Sequence, residues 1–454
     1  MNTLFSDKFF YHIYPLGLCG CPEKNDFSCP AGNAFQRLTA ELPKIQELGV
    51  NAIYIGPVFE SSSHGYDTVD YFHIDRRLGN NHSFSDFCRE CHQRGISLIL
   101  DAVFNHTGRD FFAFKDIQKN RENSPYKDWY LNLNFSRHSS FGDPFDYEGW
   151  AGCKNLVKLN VDNPQVRKHL FSAVDFWIDQ FNIDGLRLDA ADVLSKDFLD
   201  ALSRHCKQKK NDFWLMGEVV HGNYNDWARP GRLDSVTNYQ IYKALWSSLN
   251  DKNLFELSYN LNREFGSGGI YNYSLLYNFL DNHDVNRIAS SIKKIEHLYL
   301  LYALMFCIPG IPSIYYGSEK GICGSRNNYG DRELRPSLPP FSSNFPAYAS
   351  PRQGAFDLEK VINRFSAIRQ NNPALQKGSY KEVFVSNELF AFARNFENQE
   401  LIIAINCSDK TQKIQLNKAD CSKGFYNLLN GNSLSSGQKE AEIPANWLCI
   451  FKKN

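Results

Sequence analysis

The stretch IDGLRLDAAD, Ile183 to Asp192, begins as a short run of strand-forming residues and ends in charge. Leu186 and Leu188 suit a buried strand, but Arg187 and Asp189 alternate with them, and ionised groups there are costly unless paired or used. Residues two apart on an extended strand share a face, so the arginine and the first aspartate point the same way. Working outward, comparable apolar runs recur at FFYHIYP (Phe9), NAIYIGP (Asn51), SLILDAVFNH (Ser97), FWLMGEVV (Phe213), SVTNY (Ser235), LLYNFLDNHD (Leu275) and IPSIYYG (Ile311). With the opening stretch these make eight strands. Amphipathic runs such as NAFQRLTAELPKIQELG and VRKHLFSAVDFWIDQF fall between them, with apolar residues three and four apart. This alternation predicts an α/β chain built on a (β/α)8 TIM barrel, which places its chemistry at the C-terminal ends of the strands.

The rhythm breaks twice. Residues 107–157, polar, aromatic and glycine-bearing, are too long for a simple loop and predict a small domain inserted after the third strand. The catalytic barrel is then expected over 1–106 and 158–372. From 373 to 454, alternating runs such as LFAFARNF and ELIIAINC predict a separate antiparallel β domain. Lys plus Arg and Asp plus Glu number 50 each, so no global field favours nucleic acid or an anionic membrane. The longest apolar run, from Leu298, carries two prolines and reads as a buried helix and strand rather than a membrane span. The 12 cysteines fall largely in core-like segments and are expected as reduced thiols; Cys19, Cys21 and Cys29 lack zinc spacing. The opening residues lack a secretory pattern, which predicts a cytoplasmic protein.

Function is carried by the strand ends. DAVFNH supplies Asp101, Asn105 and His106; GLRLDA supplies Arg187 and Asp189; MGE supplies Glu218; DNHD supplies His283 and Asp284. A lone acid at a strand end is commonly a helix cap, but several around one barrel converge on one face. Cleaving a glycosidic bond with retention needs one carboxylate to attack the anomeric carbon and a protonated one to donate to the leaving oxygen. Asp189 beside Arg187 suits the nucleophile, because a guanidinium favours the charged form. Glu218 follows the apolar run FWLMG, where burial and nearby carboxylates favour the protonated acid.

These motifs, with HGYDTVDYFHID (His64 to Asp75), VKLN (Val157 to Asn160) and GIPSIYYGSE (Gly310 to Glu319), resemble the α-amylase family of retaining glycoside hydrolases along essentially the whole chain. The resemblance implies Asp189 as nucleophile, Glu218 as acid/base and Asp284 as the acid that grips and distorts the first donor sugar. It also implies that Tyr66 stacks on that sugar, that His106, Arg187 and His283 hold it, and that Asp101 and Asn105 support them. Arg287 is a candidate for a second donor sugar, with a salt bridge as its alternative. The inserted segment would be the family's domain B and the tail its β-sandwich. The HGYDTVDY and VKLN segments are most similar to the intracellular cyclomaltodextrinase, neopullulanase and maltogenic amylase branch.

Departures from that branch bear on the acceptor side. Asp192 and Val193 stand where many α-amylases have Lys-His, and Val220 and His221 follow the acid/base where a tryptophan is usual two residues on. The branch's extra N-terminal domain is not present in this sequence, which favours a monomer. No cofactor is required for the chemistry; a structural calcium near Asn105 is left open, and the metal ligands are unknown. The leading expectation is hydrolysis of α-1,4-glucosidic bonds in maltooligosaccharides, cyclodextrins or starch-derived glucans. The alternatives are a 4-α-glucanotransferase using the same covalent intermediate, or a catalytically silent glycan-binding member. Among aromatics of the inserted segment, Phe111, Phe112, Trp129, Tyr130, Phe141, Phe145 and Trp150 are possible sugar platforms, most of them expected in a local core.

Overall fold

The computed structural model describes residues 4–327, 330–339, 345–346 and 349–454. All eight expected runs form strands: β1 Phe10–Ile13, β2 Ala52–Ile55, β3 Ser97–Ala102, β4 Gly185–Leu188, β5 Trp214–Gly217, β6 Ser235–Val236, β7 Tyr277–Phe279 and β8 Ile311–Tyr315. They pair in parallel in the order β7-β8-β1-β2-β3-β4-β5-β6. A parallel bridge from Thr237, just past β6, to Tyr277 of β7 closes the ring. Helices lie between most of the strands; the one over Pro164–Phe181 is started by Asn163, whose side chain accepts from Gln165 N–H, and by Pro164 at the first helical position.

Alternation along the strands sorts the barrel interior into two layers. Towards the N-terminal ends, Phe10, Tyr54, Ile99, Trp214, Met216, Tyr277, Phe279 and Ile311 form one buried apolar cluster, with Phe5 stacked on Trp214 from below. Two residues beyond Ile99, Asp101 faces the same interior and lies in register with Arg187 of β4. Charge therefore begins where the apolar plug ends.

His106 departs from the expected frame. β3 ends at Ala102, and His106 opens a strand over His106–Gly108 that pairs antiparallel with Cys153–Lys158, so it belongs to the sheet of the inserted segment. That segment adds a helix over Phe112–Asn120 and a local core in which Phe111, Phe114, Trp129, Tyr130, Phe145 and Tyr147 are buried, whereas Phe112, Phe141 and Trp150 are exposed. Beyond Ser379 the chain forms an antiparallel six-stranded sheet packed against a two-stranded one, with Ile402, Ala404, Ile414, Phe425 and Ile443 among the residues between them. The 12 cysteines are free thiols. Among the described residues no helix is long and apolar enough to cross a membrane.

Candidate active site

The C-terminal ends of the strands surround a cleft of about 570 Å³, lined by Asp189, Glu218, Asp284, Tyr66, His106 and Trp150 among others. Arg187 is its electrostatic hub. One nitrogen of its guanidinium, Nη1, lies 2.7 Å from Asp101 Oδ1 and 2.9 Å from Asp189 Oδ1, and the other, Nη2, lies 2.8 Å from Glu218 Oε2. Arg187 is 2% exposed, so these are charge-assisted bonds in a site that excludes most water. The backbone turns sharply after Asp189: Ala190 adopts φ 46°, ψ 41°, and its N–H donates to Glu218 Oε2 at 3.1 Å. Left-handed geometry at a non-glycine residue costs energy and recurs at functional sites.

Asp101 sits deepest, accepting from Tyr54 Oη at 2.7 Å and Tyr66 Oη at 3.0 Å as well as from Arg187. Tyr66 also bonds His283 Nε2 through its hydroxyl, and its ring stacks near-parallel to that imidazole at 5.4 Å. Gly65 makes this placement possible: its φ is +89°, and a Cβ there would meet Pro57 at 2.7 Å. Asp67 holds the same turn by accepting from Ser63 N–H and Oγ. Asn105 Nδ2 lies 3.1 Å from His106 Nδ1, which leaves His106 Nε2 buried, without a hydrogen-bond partner and 4.0 Å from Asp189 Oδ2. Burial, with His64 nearby, pushes the His106 imidazole down to about 3, so it meets a ligand as a neutral ring.

Asp284 receives His283 Nε2 at 2.9 Å and Arg335 Nη2 at 2.8 Å. Burial alone would raise its carboxyl, but His283, Arg335 and Arg187 together hold it well below the usual range. Asp189 behaves in the opposite way. Burial raises its carboxyl well above the ordinary range against the pull of Arg187, and Glu218, Asp101 and Asp284 add to the rise. The two-residue spacing correctly joins Arg187 to Asp189, but it does not convey that the same guanidinium is divided among three carboxylates.

Arg287 is not brought into the cleft. It is fully buried, donating Nη1 to Tyr316 O at 2.6 Å and Nη2 to Leu334 O at 3.0 Å, with its guanidinium 4.0 Å from the Tyr315 ring centroid. Its role is to tie the β8 loop to the chain after β7. Arg335 and Arg326 do line the cleft, and Arg335 also donates Nε to His283 O at 3.0 Å and lies over the Tyr14 ring. Arg335 stands in a loop without periodic pattern, and no sequence signal identified it. Of the positions expected to bear on the acceptor side, Asp192 and Val220 line the cleft, whereas Val193 and His221 are exposed.

Asp143 of the inserted segment is held by both Arg109 nitrogens at 2.7 and 2.8 Å, Asp146 by Lys154 at 2.7 Å, and Glu148 by Lys158 at 2.7 Å. These three carboxylates are paired with the chain's own cations, whereas Asp116 Oδ1 is buried without a hydrogen-bond partner. Among the described residues no cluster of three His, Cys, Asp or Glu forms a metal site.

Comparison with known proteins agrees with this geometry. The alpha amylase catalytic domain profile matches residues 32–372, and the alpha-amylase C-terminal domain profile matches 378–443. The chain belongs to the alpha-amylase family of glycoside hydrolases. It is 30% identical over 436 residues to a cyclomaltodextrinase of Thermoanaerobacter pseudethanolicus, covering 91% of this chain and 72% of that protein. It is likewise 30% identical over 402 residues to an intracellular maltogenic amylase of Bacillus subtilis, covering 87% of this chain and 65% of that one. The ligand-free cyclic alpha-maltosyl-(1→6)-maltose hydrolase of Arthrobacter globiformis superposes with a TM-score of 0.81 at 25% identity, covering 100% of both chains.

Proposed function

We propose that the chain hydrolyses α-1,4-glucosidic bonds of maltooligosaccharides and cyclodextrins with retention, through a covalent glycosyl-enzyme intermediate. The observation that carries this reading is the single Arg187 guanidinium bonded to both Asp189 and Glu218, which holds the two acids on one cleft wall. Asp189 attacks the anomeric carbon; Glu218 protonates the departing oxygen and then takes a proton from water. Burial and the neighbouring carboxylates raise the Asp189 carboxyl, while Arg187 opposes the rise. The attack requires Asp189 as the anion, and departure of the leaving oxygen requires a protonated acid at Glu218. Asp284, kept anionic, grips sugar hydroxyls with His283, and the free His106 Nε2 supplies a further neutral hydrogen-bonding group.

The relatives' names support small α-glucans as substrates, and the intracellular maltogenic amylase supports a cytoplasmic setting. The reading takes the chain as a monomer with no nucleic acid or membrane partner. Incubation with maltotriose, β-cyclodextrin, pullulan and soluble starch tests it: maltose and glucose should accumulate from maltotriose and β-cyclodextrin. Oligomers longer than maltotriose as the main product would identify a glucanotransferase, and bound but unconverted sugar a silent binder.

Two further results are expected. Arg335→Met removes a cation bonded to Asp284 Oδ1, so kcat/KM for maltotriose should fall about 10- to 100-fold. An unchanged kcat/KM would show that Arg335 serves only the loop. Since Asp143, Asp146 and Glu148 of the inserted segment are paired with Arg109, Lys154 and Lys158, dialysis against EDTA should leave activity unchanged and shift Tm by less than about 1 °C, whereas a fall restored by calcium would reveal an ion site.

A further inference from the structure

Of the candidate sugar platforms in the inserted segment, Trp150 lines the catalytic cleft and stays 37% exposed, whereas Trp129 packs into the local core. A tight hairpin presents it. Strand Gly149–Trp150 pairs antiparallel with Cys153–Lys158, Trp150 opposite Cys153, and the chain reverses through φ 47° at Ala151 and 81° at Gly152. A Cβ at Gly149 would meet Cys153 O at 2.2 Å, so the hairpin closes only over glycine. The same strand pairs Lys158 with His106, which ties the indole to the imidazole; the two rings lie 5.8 Å apart. His106 Nε2 in turn lies 4.0 Å from Asp189 Oδ2, so one wall runs from the nucleophile through His106 out to Trp150. An indole left open on a braced tip adds little to the fold, but it offers a flat apolar face to a sugar ring. The other tyrosine and tryptophan positions do not compete for that place: Tyr66 is stacked on His283, Tyr239 packs edge-on against Phe279 with its hydroxyl taken by Asn282, and Val220 beyond Glu218 carries no ring.

We propose that Trp150 is the specificity-determining residue for the departing sugar: its indole stacks on the glucosyl unit that leaves with the proton of Glu218. The direction follows from how the cleft continues. Through His64, Asp331 and Arg335 it runs into a groove of about 520 Å³ that Tyr14 and Glu23 also line. Arg335 bonds Asp284, so that end belongs to the donor sugars. Trp150, like Glu218, Asp192 and Val220, lines the cleft and not that groove. A platform on the leaving side also receives an incoming sugar, so the same ring sets how often a sugar rather than water takes the glycosyl group. The inference rests on the hydrolase reading above and adds to it the residue that selects the leaving group.

Maltotriose and α-maltosyl fluoride test the proposal, because each places a maltosyl unit on Asp189 and they differ in what departs, glucose or fluoride. In Trp150→Leu the ratio of kcat/KM for maltotriose to kcat/KM for the fluoride should fall at least about fivefold, and Trp150→Phe, which keeps a smaller ring, should hold the ratio within about threefold of the parent. With maltose added as acceptor, the Leu variant should also convert less of the fluoride to longer oligomers. Equal losses on the two substrates would overturn the proposal, since they would mean support of His106 or a donor sugar. An unchanged ratio would overturn it too, as would a Phe variant no better than Leu. Turnover by the parent reports separately on the hydrolase reading. Calorimetric binding of maltotriose to Asp189→Asn, with and without Trp150→Leu, reads the platform without turnover: Kd should rise at least about fivefold, and an equal Kd would overturn it.

Discussion

Asp189→Asn is expected to lower kcat on maltotriose by about 10⁴-fold or more, because the amide oxygen cannot form the glycosyl ester that divides the reaction into two steps. The same substitution is expected to stabilise the protein. Burial and the surrounding carboxylates raise the Asp189 carboxyl well above its ordinary range. A carboxyl raised in this way supports the fold below its unfolded value, and that support is lost as pH rises through the raised folded value. At pH 7 the parent therefore carries a charge penalty that asparagine does not, so Tm of the variant should be about 2 °C or more higher, with the gap closing towards pH 4. A variant that kept a tenth of the activity, or melted lower at neutral pH, would contradict the assignment.

The second large effect is selective. Glu218→Gln removes the proton donor, so kcat on maltotriose should fall about 10³-fold or more, but the first step on α-maltosyl fluoride should stay within about tenfold of the parent, since fluoride departs with little proton donation. The second step then lacks its base and the glycosyl-enzyme should accumulate, with added azide restoring turnover. Equal losses on both substrates would assign Glu218 to holding Arg187 and the Ala190 turn rather than to proton transfer.

The sequence made the barrel legible because β-strand alternation is local: Ile99 and Asp101, two residues apart, predict both the apolar plug and the charged rim above it. Even the two-residue strand Ser235–Val236 was marked by its β-branched neighbours. The site was legible only where its charges ended strands. His106 was expected on the third strand but arrives through the sheet of the inserted segment, because pairing with Lys158 takes over after Ala102. Arg287 lies three residues from Asp284, yet the chain turns and its guanidinium caps buried carbonyls. Arg335, 51 residues from Asp284, reaches it through a loop whose path no periodic pattern encodes. The energetics were partly hidden as well: neighbouring in sequence shows that Arg187 meets Asp189, whereas the burial that outweighs it is a property of the assembled cleft.

Trapping the intermediate tests the central claim most directly. Glu218→Gln incubated with α-maltosyl fluoride, quenched in acid, digested and analysed by mass spectrometry should yield a maltosyl adduct on the peptide containing Asp189, at that side chain. An adduct on another residue, or steady turnover to inverted product with no adduct, would contradict it.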